Sequence, residues 1–399
     1  MNVLLLAPDF FPVWGGAGTY VTELARHLPK DVQLHILALR RSKFIGHGKD
    51  EKLASAEGAF PPNVSIHYLG DASETFAYNI KYQLALISRI HKLIEELDID
   101  LVHSHSSMPD LFVPTRKMGV PVLTTIHNSC EMQIAGWKKS KSHFNNLELS
   151  EKMIVVGRPI FKTSEVLYYS QPRNYIAVSQ WTKDQFVNFY GVDPSKVRVV
   201  YNGVDTEKYS PGRRDQKIID EMDPDPAGPR ILFMARMLEL KGISTLIEAI
   251  PRVLKRCDAH FILAGPGNRN RLKDFPQGTK LLGYIDHDAT PAYLAGSDIY
   301  VLPSFSETFP FSLLEAMASQ SAVVSTTAGG IPEMIRHEQD GLLIEPGNAD
   351  QLTEYLIRMV EDDGLRRRLA ASGRERVVKN FTWDHTANGV LDIYKDMLK

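Results

Sequence analysis

IYVLPSFSETFPFSLLEAM, Ile299 to Met317, runs from a β-branched strand through a short loop into a helix and carries two carboxylates, Glu307 and Glu315, with seven residues between them. If the helix begins near Phe311 or Ser312, Glu315 sits about one turn in, its side chain tilted back toward the helix N-terminus. Glu307 then lies in the loop ahead of it, and both acids face one pocket. The unpaired N–H groups of the first turn, with their partial positive dipole, favour a phosphate there. One carboxylate suits a ribose diol and the other the hydroxyls of a sugar.

Two flanking segments have the same form. ILFMARMLELKGISTLIEA (Ile231 to Ala249) is an apolar strand ending in Arg236, followed by Lys241-Gly242 and an amphipathic helix. TTAGGIPEMI (Thr326 to Ile335) is a strand end passing through a Gly pair and a Pro into a helix. In an open parallel sheet, ligands bind at the carboxyl ends of strands, so the three segments are expected to converge on one crevice, with Arg236 and Lys241 supplying its positive charge. A preorganised cation where charge develops on a leaving group is a large catalytic term.

Short apolar runs alternate with helical patterns along the whole chain, at residues 2–8, 33–39, 64–69, 100–105, 121–126, 175–179 and 197–202, and again at 231–235, 260–265, 280–284, 299–303, 322–326 and 341–345. This is the pattern of α/β proteins, and it predicts two doubly wound Rossmann-like domains. The boundary is placed in the polar stretch 205–228, giving domains over 1–205 and 206–382. Residues Arg40 to Pro62, with Arg40, Arg41, Lys43, Lys49, Phe44 and Ile45, and Asn128 to Gln171 interrupt the alternation as long insertions. A helix over 79–98 presents Ile80, Leu84, Ile87, Ile90, Ile94 and Leu97 on one face, read as core-facing.

Composition narrows the classes. A chain of 399 residues exceeds one typical core. A formal charge of −2 argues against nucleic acid as the main partner. No segment approaches the length of a membrane span, and MNVLLLAPDF reads as a first strand, not a signal peptide. Cys130 and Cys257 lie far apart without metal-type spacing, which suits a reducing cytoplasm, and Cys130 reads as a packed thiol.

Gly15-Gly16 follow the first strand and precede a helix placed near Gly18, a position for phosphate or donor contact. The third Gly of the dinucleotide fingerprint is missing, which disfavours an oxidoreductase. His127 ends an apolar strand. His103 and His105 alternate along another and point to the face opposite Ser104, but no third ligand is evident for zinc. Asp223-Pro-Asp225 sits in the Pro-rich linker and is not read as a metal motif.

With GGAGTY at Gly15 to Tyr20, VHSH at Val102 to His105, TTIHNS at Thr124 to Ser129, YNGVD at Tyr201 to Asp205, Arg236, Lys241, the Glu pair and GGIPE at Gly329 to Glu333, the sequence resembles the retaining glycosyltransferases of family 4, which have the GT-B architecture. The resemblance covers nearly the whole chain. It implies two domains facing across a cleft, the N-terminal one on the acceptor side, and a final helix over 383–399 returning to it. It implies transfer of a hexose-type sugar from a nucleotide-diphosphate-sugar to a hydroxyl of a glycan, lipid-linked or small-molecule acceptor, by front-face attack, with no metal and no other cofactor. His127 would stand beside the reacting carbon, with Arg236, Lys241 and Glu307 completing the catalytic set. Glu307 would face the sugar and Glu315 the ribose. Further donor contacts would come from Gly15, Gly16, Thr308, Phe309, Phe311, Ser312 and Leu313, with the base between Gly265-Pro266-Gly267 and the strand end at Tyr284 and Ile285. The family usually has Gly where this chain has Ala235, Thr308 and Pro310, and Pro310 has no N–H to offer. An epimerase or hydrolase on the same architecture, or a silent nucleotide-sugar-binding module, are the other functional readings. The expected location is cytoplasmic, with peripheral contact at the inner membrane face.

Overall fold

Strands buried on both faces read as continuous apolar runs, because helices cover each side of a parallel sheet. The computed structural model describes residues 1–8, 10, 15–41, 58–72, 78–140, 144, 147–222, 228–267 and 275–399, and it divides into two compact units. The first comprises Met1–Ser129, Pro159–Tyr201 and Trp383–Lys399; the second comprises Cys130–Arg158 and Asn202–Thr382.

Seven parallel strands form the sheet of the first unit: β1 (Asn2–Leu6), β2 (Gln33–Arg41), β3 (Val64–Ala72), β4 (Leu101–His105), β5 (Val122–Ile126), β6 (Asn174–Ala177) and β7 (Val197–Val199). Their order, β3-β2-β1-β4-β5-β6-β7, reverses direction between β1 and β4. The helices up to β7 are α1 (Gly16–His27), α2 (Tyr78–Glu96), α3 (Cys130–Ser140), α4 (Leu149–Tyr169) and α5 (Gln180–Tyr190). On α2 the core face runs through Tyr82, Leu86, Ile90 and Ile94, which pack against Leu4, Leu37 and Val102. Tyr82 also donates its hydroxyl to the Leu37 carbonyl at 2.9 Å. Ile80, Leu84 and Ile87, expected on the core side, are exposed at 57, 59 and 44%.

In the second unit six parallel strands, β8 (Arg230–Met234), β9 (His260–Ala264), β10 (Thr279–Gly283), β11 (Ile299–Leu302), β12 (Ala322–Thr326) and β13 (Leu342–Ile344), take the order β10-β9-β8-β11-β12-β13. Here the reversal lies between β8 and β11. The remaining helices are α6 (Gln216–Met222), α7 (Ile243–Leu254), α8 (Thr290–Gly296), α9 (Phe311–Ala318), α10 (Ile331–Met334), α11 (Ala349–Glu361), α12 (Asp363–Asn380) and α13 (Trp383–Met397). Helix α13 belongs to the first unit and packs on α1.

The stretch read as a polar linker contains α6, which buries Ile219 and Met222 and packs on α8. Two inward residues three apart anchor a helix too short to show periodicity. Asp223 to Asp225, Lys43, Phe44, Ile45 and Lys49 lie outside the described residues. Within the second unit, α3 packs on the 3-10 turn Glu239–Lys241, and the Ser306 hydroxyl lies 3.4 Å from the Met132 carbonyl.

Candidate functional site

The loops leaving β8, β11 and β12 surround the switch point of the second sheet, where an open α/β sheet leaves a crevice. They are joined to one another by backbone. The Phe305 N–H donates to the Leu240 carbonyl at 2.9 Å, and the Gly330 N–H donates to the Glu307 carbonyl at 3.0 Å. Gly242 and Gly329 permit this closeness: at φ of 74° and 63°, a Cβ on either would stand 1.8 Å from the Pro303 carbonyl oxygen and 1.7 Å from that of Glu307, respectively. No L side chain fits there, so both glycines are demanded by packing between the loops.

That framework holds an ion pair. Lys241 Nζ lies 2.6 Å from Glu307 Oε1, which also accepts from the Ser304 hydroxyl at 2.8 Å. Glu307 is only 8% exposed, so its oxygens are fixed in place. Glu315, on α9, is 9% exposed. Tyr300 of β11 is buried, and its hydroxyl donates to the Met234 carbonyl at 3.0 Å. Burial pushes the phenol well above its usual range, a hydrogen bond with Ser312 opposes the shift, and the charges of Glu315 and Glu307 reinforce it. Both carboxylates therefore approach one phenol.

Helix α9 starts at Phe311 with Pro310 as its N-cap and no side-chain cap, so the first N–H groups face outward without a capping side chain. Arg236 is exposed and has no ion pair among the described residues. Thr308, Phe311 and Ser312 are partly accessible. Phe309 and Leu313 are buried, so their side chains belong to the core, Phe309 packing on Phe381 with ring centroids 5.4 Å apart. The Phe309 carbonyl accepts from Asn202 of the YNGVD segment at 2.9 Å. Gly265 and Gly267 pack on the loop after β8, where the Met237 N–H donates to the Pro266 carbonyl at 2.9 Å. Tyr284 is exposed and Ile285 partly so.

In the first unit the switch point lies beside β1 and β4. Gly15 caps α1 without a side-chain bond, and among the described residues, its two chain neighbours aside, no atom lies within 4 Å of where its Cβ would be. Gly16 is the first residue of α1, two residues before the expected start. At the ends of β4 and β5, His103, His105 and His127 form a contiguous row. His103 Nδ1 bonds the Tyr394 hydroxyl at 2.6 Å and Nε2 the Thr125 hydroxyl at 2.7 Å, while His105 Nδ1 lies 3.2 Å from His127 Nε2. Both nitrogens of His103 are thus engaged, and among the described residues no group of three or more His, Cys, Asp or Glu side chains, this row included, is arranged to hold a metal ion.

Burial, followed by the neighbouring His127, lowers His103 to about 3; burial lowers His127 to about 4; and burial with His103 and His127 holds His105 well below the usual range. All three are neutral near pH 7. An unfolded chain takes up protons on these rings below about pH 6.5, and the folded chain does not, so their stabilising contribution is complete above that pH and lost as pH falls, by up to about 1.4 kcal/mol per pH unit per ring. Denaturant midpoints should therefore drop between pH 7 and 5. A His103→Gln variant should lose less over that interval, and an unchanged slope would contradict the assignment.

Two parallel sheets, each with a switch point bordered by loops at its carboxyl edge, define the class of two-domain doubly wound α/β proteins. Residues 14–208 match the profile of Glycosyltransferase Family 4, and residues 228–362 that of Glycosyl transferases group 1. The chain belongs to this family and is a hexosyl-transferring glycosyltransferase of GT-B fold. It is 26% identical over 422 residues to alpha-maltose-1-phosphate synthase of Mycolicibacterium smegmatis, covering 99% of each chain. Among solved structures, sucrose-phosphate synthase from Thermosynechococcus elongatus matches with a TM-score of 0.76 at 17% identity, over 99% of this chain and 98% of that one. Alr3699/HepE of Anabaena, solved with UDP and glucose, matches with a TM-score of 0.71 at 18% identity, over 98% of this chain and 99% of that one.

Proposed function

We propose that the protein transfers a hexose-type sugar from a nucleotide-diphosphate-sugar to a hydroxyl acceptor with retention at the anomeric carbon, by front-face attack and without a metal. The observation that carries this reading is the Lys241–Glu307 pair fixed at the β8/β11 switch point, beside the uncapped start of α9 and with Arg236 exposed nearby in sequence. Arg236, Lys241 and the N–H groups of α9 supply the positive field that a departing diphosphate needs, so charge stabilisation falls to the protein. Glu307 holds Lys241 and meets sugar hydroxyls, and Glu315 meets the ribose. Retaining glycosidases place two carboxylates about 5 Å apart as acid and nucleophile; here one of the two is committed to an ion pair, which favours the holding role.

The test is a transfer reaction in EDTA with UDP-, GDP- and ADP-sugars, read by NMR of the product anomeric proton. Product with the donor's configuration is expected. Inverted product, or activity only after magnesium or manganese is restored, would overturn the corresponding part of the reading.

A membrane-adjacent acceptor is a second element of the proposal. Within the first unit, Ile160 and Leu167 of α4 are exposed at 73 and 62% beside the exposed Lys162, whereas Glu165 is buried. An apolar face with a cation and no exposed acid suits an anionic bilayer. No helix among the described residues is long and apolar enough to cross a membrane. Co-sedimentation with anionic vesicles should fall several-fold in an Ile160→Glu/Leu167→Glu variant; equal pelleting, or none by either protein, would favour a soluble acceptor.

A further inference from the structure

His105 has no role in the function proposed above, yet it is 2% exposed and its Nε2 has no hydrogen-bond partner among the described residues. Its Nδ1 lies 3.2 Å from His127 Nε2, with the two ring planes only 22° apart. The ring centroids are 5.3 Å apart, which is the distance of two imidazoles meeting edge to edge through nitrogen. One proton lies on that contact, and its position fixes both rings.

If His127 donated from Nε2, His105 Nδ1 would accept, and the remaining proton of the neutral His105 would sit on Nε2 as a buried donor with no acceptor. If His105 donates from Nδ1, the orphan is a bare nitrogen lone pair. Among buried backbone groups, orphaned N–H donors are rarer than under-satisfied acceptors, and the same ordering is applied to the ring. Protonating both rings is opposed by the burial that holds them neutral. The backbone of His127 is fixed as well, its N–H donating to the Ser106 hydroxyl at 3.1 Å. The face of the ring is fixed by Tyr20, edge-on at 4.8 Å between centroids.

We propose that His105 is a positioning residue that donates its Nδ1–H to His127 Nε2, locking His127 as the Nδ1–H tautomer, so that it meets substrate as a hydrogen-bond donor and not as a base. The Nδ1 of His127 has no protein partner among the described residues, which leaves that N–H for an oxygen of a bound sugar. The substrate consequence rests on the sugar-transfer reading above; the tautomer does not.

The tautomer is measured on the full chain with ¹⁵N-labelled histidine, by long-range ¹H–¹⁵N correlation, assigning signals through their loss in His105→Phe and His127→Gln. A protonated Nδ1 and bare Nε2 on His127 are expected. The second arm compares His105→Phe, which keeps a flat ring but has no donor, with His105→Asn, whose amide N–H can stand near the position of Nδ1. His105→Phe should lower kcat roughly 10- to 100-fold, the scale seen when the orienting partner of a metal-bound histidine is removed. His105→Asn should stay within about threefold, and a merely structural ring would give the opposite ranking. A protonated Nε2 on His127 overturns the proposal, as does His105→Phe turning over at the wild-type rate. Since the tautomer is read in the free protein, a wild type that transfers no sugar would count against the functional reading alone.

Discussion

Replacing Asp110 with Ala is expected to cost about 3–5 kcal/mol of folding stability, the penalty for leaving a buried guanidinium without its counter-ion. Asp110 and the side chain of Arg173 are both fully buried, with Arg173 Nη1 3.3 Å from Asp110 Oδ2. Asp110 Oδ1 accepts from the Ser104 hydroxyl at 2.5 Å and the Tyr168 hydroxyl at 2.6 Å. Arg173 donates to Thr124 at 3.1 Å and Thr115 at 2.7 Å, and its guanidinium carbon lies 4.0 Å from the centre of the Tyr168 ring. Ser104 points to the face of β4 opposite His103 and His105, so this cluster supports the strand that carries the histidine row. At about 2–4 °C per kcal/mol for a unit of 150–250 residues, the melting temperature should fall by roughly 6–20 °C. The paired replacement Asp110→Leu/Arg173→Met should be milder than Asp110→Ala, because no lone charge remains inside. A single variant within about 1 kcal/mol of wild type would show that the pair contributes little.

None of this cluster was legible in the sequence. Asp110 and Arg173 are 63 residues apart, and His103 and Tyr394 are 291 apart; each is an isolated letter until the fold brings them together. The thirteen strands of the described residues were readable because a strand covered on both faces is predominantly apolar, as NVLLL and the start of AVVST are. Helix α2 was harder: Leu84 and Ile87, and Leu86 and Ile90, both recur at helical spacing, and only packing on β1 and β2 decides which stripe is inside. The loop segments of the candidate site were readable as strand ends with glycines and charges. What they could not reveal is that Lys241 and Glu307 touch, since spacing gives the strand each follows but not the rotamers.

That contact shapes the last prediction. Lys241→Ala and Arg236→Ala should each lower kcat by roughly 100-fold or more under saturating donor, the scale on which stabilisers of developing charge act. They should do so differently. Arg236 is exposed and shares no hydrogen bond with Glu307, so Arg236→Ala removes only a cation. Lys241→Ala also leaves the nearly buried Glu307 with the Ser304 hydroxyl as its remaining donor among the described residues, free to turn away from the position the pair had fixed. A double-mutant cycle separates the two: Lys241→Ala combined with Glu307→Gln should deviate from additivity by about 0.5–3 kcal/mol, whereas Arg236→Ala with Glu307→Gln should add within about 0.5 kcal/mol. If the Lys241 and Glu307 losses simply add, the pair does not position Glu307, and the two residues act on the donor independently.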